Sequence, residues 1–293
     1  MKIVLAPIPF FWPKHKVLSY YDRVADWPVD RVFLGETVCS KRREMRLNDW
    51  LAIAEKLADK GKEVVLSTLA LVESRAEVGQ IRQIVETGLP IEANDWTAVD
   101  IAVTHDRPFY AGPSINIYNN GMLHELKRLG LVGWTLPVEL GKHHLQRFQH
   151  DPETPLQVIG FGFAPLAYSA RCFTARAANV GKDACELRCQ QHEQGLVLTS
   201  QEQQPIFRLN GIQTLSAQCI DLARYWQEMK AHGVDEFRYI PTDDDDGDRI
   251  QALYSAIQEK RQVTWSLPWP KATGYWFSLP GMCDAEERLA ISQ

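Results

Sequence analysis

Eight times along this chain a short β-branched or apolar run gives way to a polar turn and then to residues at helical spacing. That alternation is the pattern of parallel strands joined by crossover helices. The runs that read as strands are Lys2–Ala6, Arg31–Gly35, Glu63–Ser67, Leu89–Glu92, Pro108–Ala111, Val132–Leu136, Leu156–Phe163 and Glu236–Ile240. Between them, Asn48–Asp59 carries Trp50, Leu51, Ile53, Ala54 and Leu57 at helical spacing, with Asn48 or Asp49 as N-cap. Val78–Val85, Trp96–Val103, Asn116–Leu129, Cys219–Lys230 and Arg249–Glu259 read likewise. Eight such units in 293 residues point to an α/β fold of the (β/α)8 TIM-like barrel type. An open doubly wound sheet carries the same local signals and is the competing architecture.

One segment breaks the rhythm. Residues 164–215 hold three of the six cysteines and a polar run, Gln190–Gln204. The expectation is a single barrel domain over residues 1–293, with 164–215 inserted over its C-terminal face. Near the end, Trp265, Trp269, Tyr275 and Trp276 are expected to pack in the core. The run Asp243–Asp246 reads as a solvated loop and helix N-terminus.

Only a few apolar residues follow Lys2 before Pro7 and Pro9 intervene, which is no signal peptide. No stretch approaches the ~18 uninterrupted apolar residues of a membrane span. The expected compartment is therefore the cytoplasm, where thiols stay reduced. Six cysteines there read as ligands or core residues and not as disulfides. A net charge of −5, from 32 basic and 37 acidic side chains, argues against a protein built to grip nucleic acid.

Cys172, Cys185 and Cys189 lie at spacings of thirteen and four. Cys39 is distant in sequence but sits four residues past the second strand, as Cys172 sits past the seventh. In a βα barrel both points fall on the C-terminal face, where sites are built. Four thiolates there suit zinc or an iron–sulfur cluster. One close pair with two singletons favours the cluster over the two close pairs usual for zinc. Lys41, Arg42 and Arg43 follow Cys39, and Arg171 and Arg176 bracket Cys172, as cations that offset a cluster's negative charge. Cys219 and Cys283 read as packing residues.

The segment Ala164-Pro165-Leu166-Ala167-Tyr168-Ser169-Ala170-Arg171-Cys172-Phe173-Thr174-Ala175-Arg176 resembles the signature of the collagenase-like peptidase family. Matching pieces include the run Leu34 to Arg43, Leu66 to Val72, Pro137 to Leu140, and Leu209 to Thr214. The likeness extends from the first strand to about residue 216, with an echo at Gly274-Tyr275-Trp276. Within the family these pieces resemble the smaller subunit of an oxygen-independent hydroxylase pair of ubiquinone biosynthesis. The resemblance implies a 4Fe–4S cluster ligated by Cys39, Cys172, Cys185 and Cys189. It implies a heterodimer with a UbiU-type subunit and a UbiT-type lipid-carrier protein as third component. The implied reaction is ring hydroxylation of a polyprenylated ubiquinone precursor, with prephenate as oxygen donor.

The chain departs from the broad peptidase signature at three places. Gln157 stands for a glutamate, Phe161 for a histidine and Pro165 for a cysteine, which counts against peptidase chemistry. RNA base hydroxylation is the family's other suggestion, and the net charge speaks against it. His124-Glu125 begins like a zinc-protease motif, but Arg128 occupies the second histidine's place. His143, His144, His150 and Asp151 read as a helix surface. Glu36, Glu92, Asn94, Asn116, Tyr118 and Glu139 sit at predicted strand ends, where barrel chemistry is placed. Asn94 and Asn116 are also candidate helix caps.

Overall fold

A computed structural model describes residues 1–286. The strands are β1 (Lys2–Leu5), β2 (Arg31–Leu34), β3 (Glu63–Ser67), β4 (Ile91–Ala93), β5 (Phe109–Ala111), β6 (Leu131–Thr135), β7 (Leu156–Tyr168), β8 (Leu196–Thr199), β9 (Pro205–Asn210), β10 (Gln213–Asp221), β11 (Glu236–Tyr239) and β12 (Lys271–Ala272). The helices are α1 (Lys14–Val24), α2 (Leu47–Asp59), α3 (Arg75–Glu86), α4 (Trp96–Thr104), α5 (Asn120–Arg128), α6 (Lys142–Leu145), α7 (Phe173–Ala177), α8 (Trp226–Ala231) and α9 (Asp246–Gln258).

Strands β1 to β7 pair in sequence order, all parallel, and β11 pairs parallel with both β7 and β1. The ring is closed, so the fold is the TIM-like barrel and not the open sheet. The period of two along each strand sorts side chains to its two faces. In β2, Val32 and Leu34 join the main core under the helices. Phe33 instead packs with Val4, Val65 and Tyr110 in a separate cluster inside the ring. A side chain at Gly133 would stand 2.6 Å from the Tyr110 ring, so this glycine makes room for the aromatic.

Charged side chains also enter the ring and are paired there, because an unpaired buried charge is costly. Arg31 pairs with Glu236 at 2.6 Å and Arg238 with Glu92 at 2.6 Å. Gln157 joins the two pairs, donating to Glu236 at 2.9 Å and accepting from Arg238 at 2.8 Å.

All eight expected barrel strands are present, seven with ends within two residues of expectation and β7 five residues longer. Several expectations for the rest need correction. Cys219 lies in β10, not in a helix: Cys219, Ile220 and Asp221 pair antiparallel with β7, and Cys219 pairs with β12. The helix itself starts only at Trp226. Asn116 adopts a left-handed conformation (φ 59°) after a 3-10 turn, and α5 is capped by Asn119, which accepts from the Met122 N–H. Likewise Asp95, not Asn94, caps α4. Helix α2 starts at Leu47, and Asp49 in its first turn accepts the Arg46 N–H at 2.9 Å. Helix α1 was not expected, although Val17, Tyr20, Tyr21 and Val24 form its buried stripe.

Asp246, expected in solvent, is fully buried. Its carboxylate accepts from the hydroxyls of Tyr20, Tyr239 and Thr242 and from the Thr242 N–H. The late aromatics pack as expected: Trp276 is buried, Trp265 meets Phe161 edge-on and Trp269 meets Phe163. The described part of the expected domain stops seven residues short of Gln293. Among the described residues no helix is long and apolar enough to cross a membrane.

Residues 164–215 leave the ring at the C-terminal end of β7. There β10 returns antiparallel to β7, and β9 and β8 extend the sheet outward. Asn210 pairs with Gln213 across the two-residue turn Gly211-Ile212, in which Gly211 has φ +67°.

Candidate metal centre and barrel mouth

Each of the four cysteines is aimed by a local turn. After β2 the chain passes Gly35 (φ +141°), where a side chain would stand 2.5 Å from the Ser67 carbonyl. Only glycine tolerates that conformation and that approach. Glu36 then accepts from the N–H groups of Val38 and Cys39 at 2.8 and 3.0 Å, shaping the Cys39 loop. Cys172 sits at the start of α7, its Sγ accepting from the Ala175 N–H at 3.4 Å. The Phe173 N–H donates to the Gly211 carbonyl, and the Gly211 N–H to the Thr174 hydroxyl, fastening α7 to the hairpin turn. Between Cys185 and Cys189 the left-handed residues Glu186 and Leu187 reverse the chain.

Cys39, Cys172, Cys185 and Cys189 line one cavity of about 360 Å³ including its mouth. All four are half-buried. Cys219 is fully buried, and burial pushes its thiol well up, so it stays protonated as a core residue. Among the described residues no three His, Cys, Asp or Glu side chains gather closely enough to hold a single metal ion.

Four cations line the same cavity: Lys41, Arg42, Lys182 and Arg188. Lys41 and Arg42 were legible as flanks of Cys39, whereas Arg43, Arg171 and Arg176 do not line it. Lys41 pairs with Asp183 at 2.7 Å and so ties the first cysteine loop to the second. Arg42 is buried. It donates to the Pro9 carbonyl at 3.0 Å and to Asn210 Oδ1 at 2.7 Å, and pairs with Glu36 at 3.6 Å. It lines the cavity together with Cys189. Its Nε finds no acceptor among the described residues. Burial pushes the Cys39 and Cys189 thiols up, and Arg42 opposes that rise. A soft, four-sulfur donor set ringed by cations, with one guanidinium N–H to spare, fits an anionic metal–sulfur group.

A hydrogen-bond chain runs from this cavity to the mouth of the barrel. Arg42 holds Asn210, Asn210 Nδ2 donates to Gln213 Oε1 at 3.0 Å, and Gln213 Nε2 donates to the Tyr168 hydroxyl at 3.0 Å. Tyr168 and Gln213 line a second cavity with Glu92, Asn94 and Arg238. Burial pushes the Tyr168 hydroxyl up to about 12. This cavity lies at the C-terminal end of the strands, where barrel chemistry is placed. Glu92 Oε2 accepts from Ser67 at 2.6 Å and from Asn94 at 3.3 Å. Glu92 Oε1 stands 2.6 Å from Arg238 yet has no aligned hydrogen bond. It is an acceptor with capacity left.

Of the strand-end residues singled out from the sequence, Glu92 and Asn94 reach the mouth and Glu36 shapes the cysteine loop. Tyr118 and Glu139 hydrogen-bond to each other at the surface. His150 contacts Asp235 and Asp151 pairs with Lys127, so these two are held by structural partners. Sequence reasoning did not single out Arg238, and it met Tyr168, Asn210 and Gln213 only as parts of the family-like segments, without a role at the site. The Asn210-Gly211 dipeptide was a usable hairpin signal, and Arg238 a charge amid an apolar strand. At two departures from the peptidase signature, Gln157 lies in the ring's polar network and Phe161 stacks on Tyr239 at 4.5 Å.

Comparison with known proteins gives the family. The U32 peptidase Mk0906 aligns over 83% of this chain and 94% of its own, with 12% identity and a TM-score of 0.46. Dihydropteroate synthase (FolP) from Thermus thermophilus aligns over 88% and 93%, with 12% identity and a TM-score of 0.43. Catalytic domain 2 of an Ostrinia furnacalis Group II chitinase aligns over 90% and 97%, with 10% identity and a TM-score of 0.42. The model of Peptidase family U32 matches residues 18–240, from within α1 to the end of β11, and the chain belongs to that family.

Proposed function

We propose that this chain is a UbiV-type iron–sulfur subunit of an oxygen-independent hydroxylase acting on ubiquinone precursors. The observation that carries the reading is the single cation-ringed cavity lined by Cys39, Cys172, Cys185 and Cys189. Those four are the proposed ligands of a 4Fe–4S cluster. When bound, such a cluster supplies one-electron chemistry, and with every ligand place filled by cysteine it leaves no iron open to substrate.

The chain's own residues have definable tasks in this scheme. Arg42, Lys41, Lys182 and Arg188 offset the negative charge of four thiolates. Arg42, Asn210, Gln213 and Tyr168 rigidly connect that cavity to the barrel mouth. Glu92 and Arg238 present an acceptor and a cation at the mouth, held by Ser67, Asn94 and Gln157. The proposed assembly is a heterodimer with a UbiU-type subunit, served in the cytoplasm by a UbiT-type lipid carrier, with prephenate as oxygen donor. The family's name suggests proteolysis, but the glutamate and histidine of its signature are here Gln157 and Phe161, both packed inside.

The test is anaerobic co-purification with a UbiU-type chain, followed by mass spectrometry of a polyprenylated precursor incubated with and without prephenate. The proposal expects prephenate-dependent gain of one oxygen, lost with Cys185→Ala. Cleavage of a collagen-type peptide without any hydroxylated product would favour the peptidase reading.

A further inference from the structure

A cavity larger than either of the two above lies elsewhere in the described part of the molecule. It measures about 1,220 Å³ including its mouth and lies between α2 and α3, above the ends of β2 and β3. Neighbouring helices of a barrel ordinarily pack side by side over the strands. Here α2 packs on α1 and α3 on α4, and the cavity separates α2 from α3. Leu34 and Leu66, on the outer faces of their strands, lie with Ile81 at its buried floor, and Leu47, Trp50 and Ile84 form half-buried walls.

The rim is cationic. Arg43 and Arg46 line the cavity, and neither has an ion-pair partner among the described residues. Glu36 also reaches the wall, but Arg42 and two backbone N–H groups already hold it. Gln80 and Gln83 add neutral amides on the α3 side. Apolar walls with an aromatic ring and two free guanidinium groups at the entrance describe one chemical class. We propose that this cavity binds an amphipathic organic anion, its carboxylate between Arg43 and Arg46 and its apolar body against Trp50 and Ile84. Arg42 lines both this cavity and the cysteine cavity, so such a ligand would lie one side chain away from the cysteines. The inference rests on the cavity alone and stands whether or not the cysteines carry a cluster.

The experiment is isothermal titration of the anaerobically purified chain with three probes that share one body: 4-butylbenzoate, 4-butylbenzyl alcohol and 4-butylbenzylamine. The benzoate should bind one to one, the alcohol about tenfold more weakly, and the amine more weakly still. Arg43→Gln/Arg46→Gln should remove about tenfold from benzoate affinity and leave the alcohol unchanged. Ile84→Trp, which places a larger ring where the apolar body would lie, should weaken benzoate and alcohol alike. Equal affinity for all three probes, or benzoate binding indifferent to the double arginine change, overturns the proposal. So does full benzoate binding by an Ile84→Trp protein that melts like the parent.

Discussion

Arg42→Met removes one guanidinium from the wall of the cysteine cavity while keeping much of the stem. The Pro9 carbonyl is not orphaned, because Asn210 Nδ2 also donates to it at 2.6 Å. Asn210 Oδ1 does lose its donor at 2.7 Å, and a buried acceptor left unpaired costs about 1–3 kcal/mol. Glu36 loses the cation 3.6 Å away but keeps two N–H donors, and its side chain is 23% exposed. Solvent screening therefore limits that loss to about 1 kcal/mol. Relief of the guanidinium's own desolvation offsets part of the sum. The net expectation is a loss of about 1–3 kcal/mol, which in a chain this size lowers Tm by roughly 2–6 °C. Since a bound cluster would itself raise Tm, the comparison is made on metal-free protein by anaerobic circular dichroism, and iron content is measured separately. Arg42→Lys keeps the charge without the fork and should fall between the two. If Arg42→Met melts within about 1 °C of the parent and retains the same iron, the reasoning about this side chain fails.

Three further expectations use other parts of the molecule. Cys185→Ala deletes one proposed ligand and should leave iron absent or below four per chain after anaerobic purification; unchanged iron removes Cys185 from the ligand set. Gly35→Ala forces a side chain to 2.5 Å from the Ser67 carbonyl at φ +141° and should cost about 2–4 kcal/mol, read as a lower urea midpoint at constant m; a change under about 0.5 kcal/mol contradicts the strain argument. Burial pushes Asp246 up to about 6 from its ordinary 3.8, so its contribution is fully present below about pH 4 and is lost as pH rises through 6. The stability advantage of the parent over Asp246→Asn should accordingly shrink by about 3 kcal/mol between pH 4 and 7 in urea titrations; an advantage that grows with pH reverses the sign of that assignment.

The barrel was legible because its strands combine two strong signals, β-branched apolar runs and regular helical intervals. Its edges were less so. Cys219–Lys230 has helical spacing throughout, yet pairing with β7 and β12 claims the first three residues for a strand. Asp246 sits in a run of four aspartates, and nothing local distinguishes it. Only the long-range approach of Tyr20 and Tyr239 makes it a buried acceptor. The same division holds at the site. The four cysteines announce themselves by residue type, and Lys41 and Arg42 by adjacency. Lys182 and Arg188 depend on how the 3-10 turns of the insertion fold back. The chain from Asn210 through Gln213 to Tyr168 depends on a strand register that spacing alone does not specify.

Anaerobic purification with iron and acid-labile sulfide analysis tests the central claim most directly. The account predicts about four irons and four sulfides per chain and a broad charge-transfer absorption that air abolishes. Stoichiometric zinc, or metal-free protein after strict exclusion of oxygen, would contradict it and leave the barrel with a cysteine cavity of another purpose.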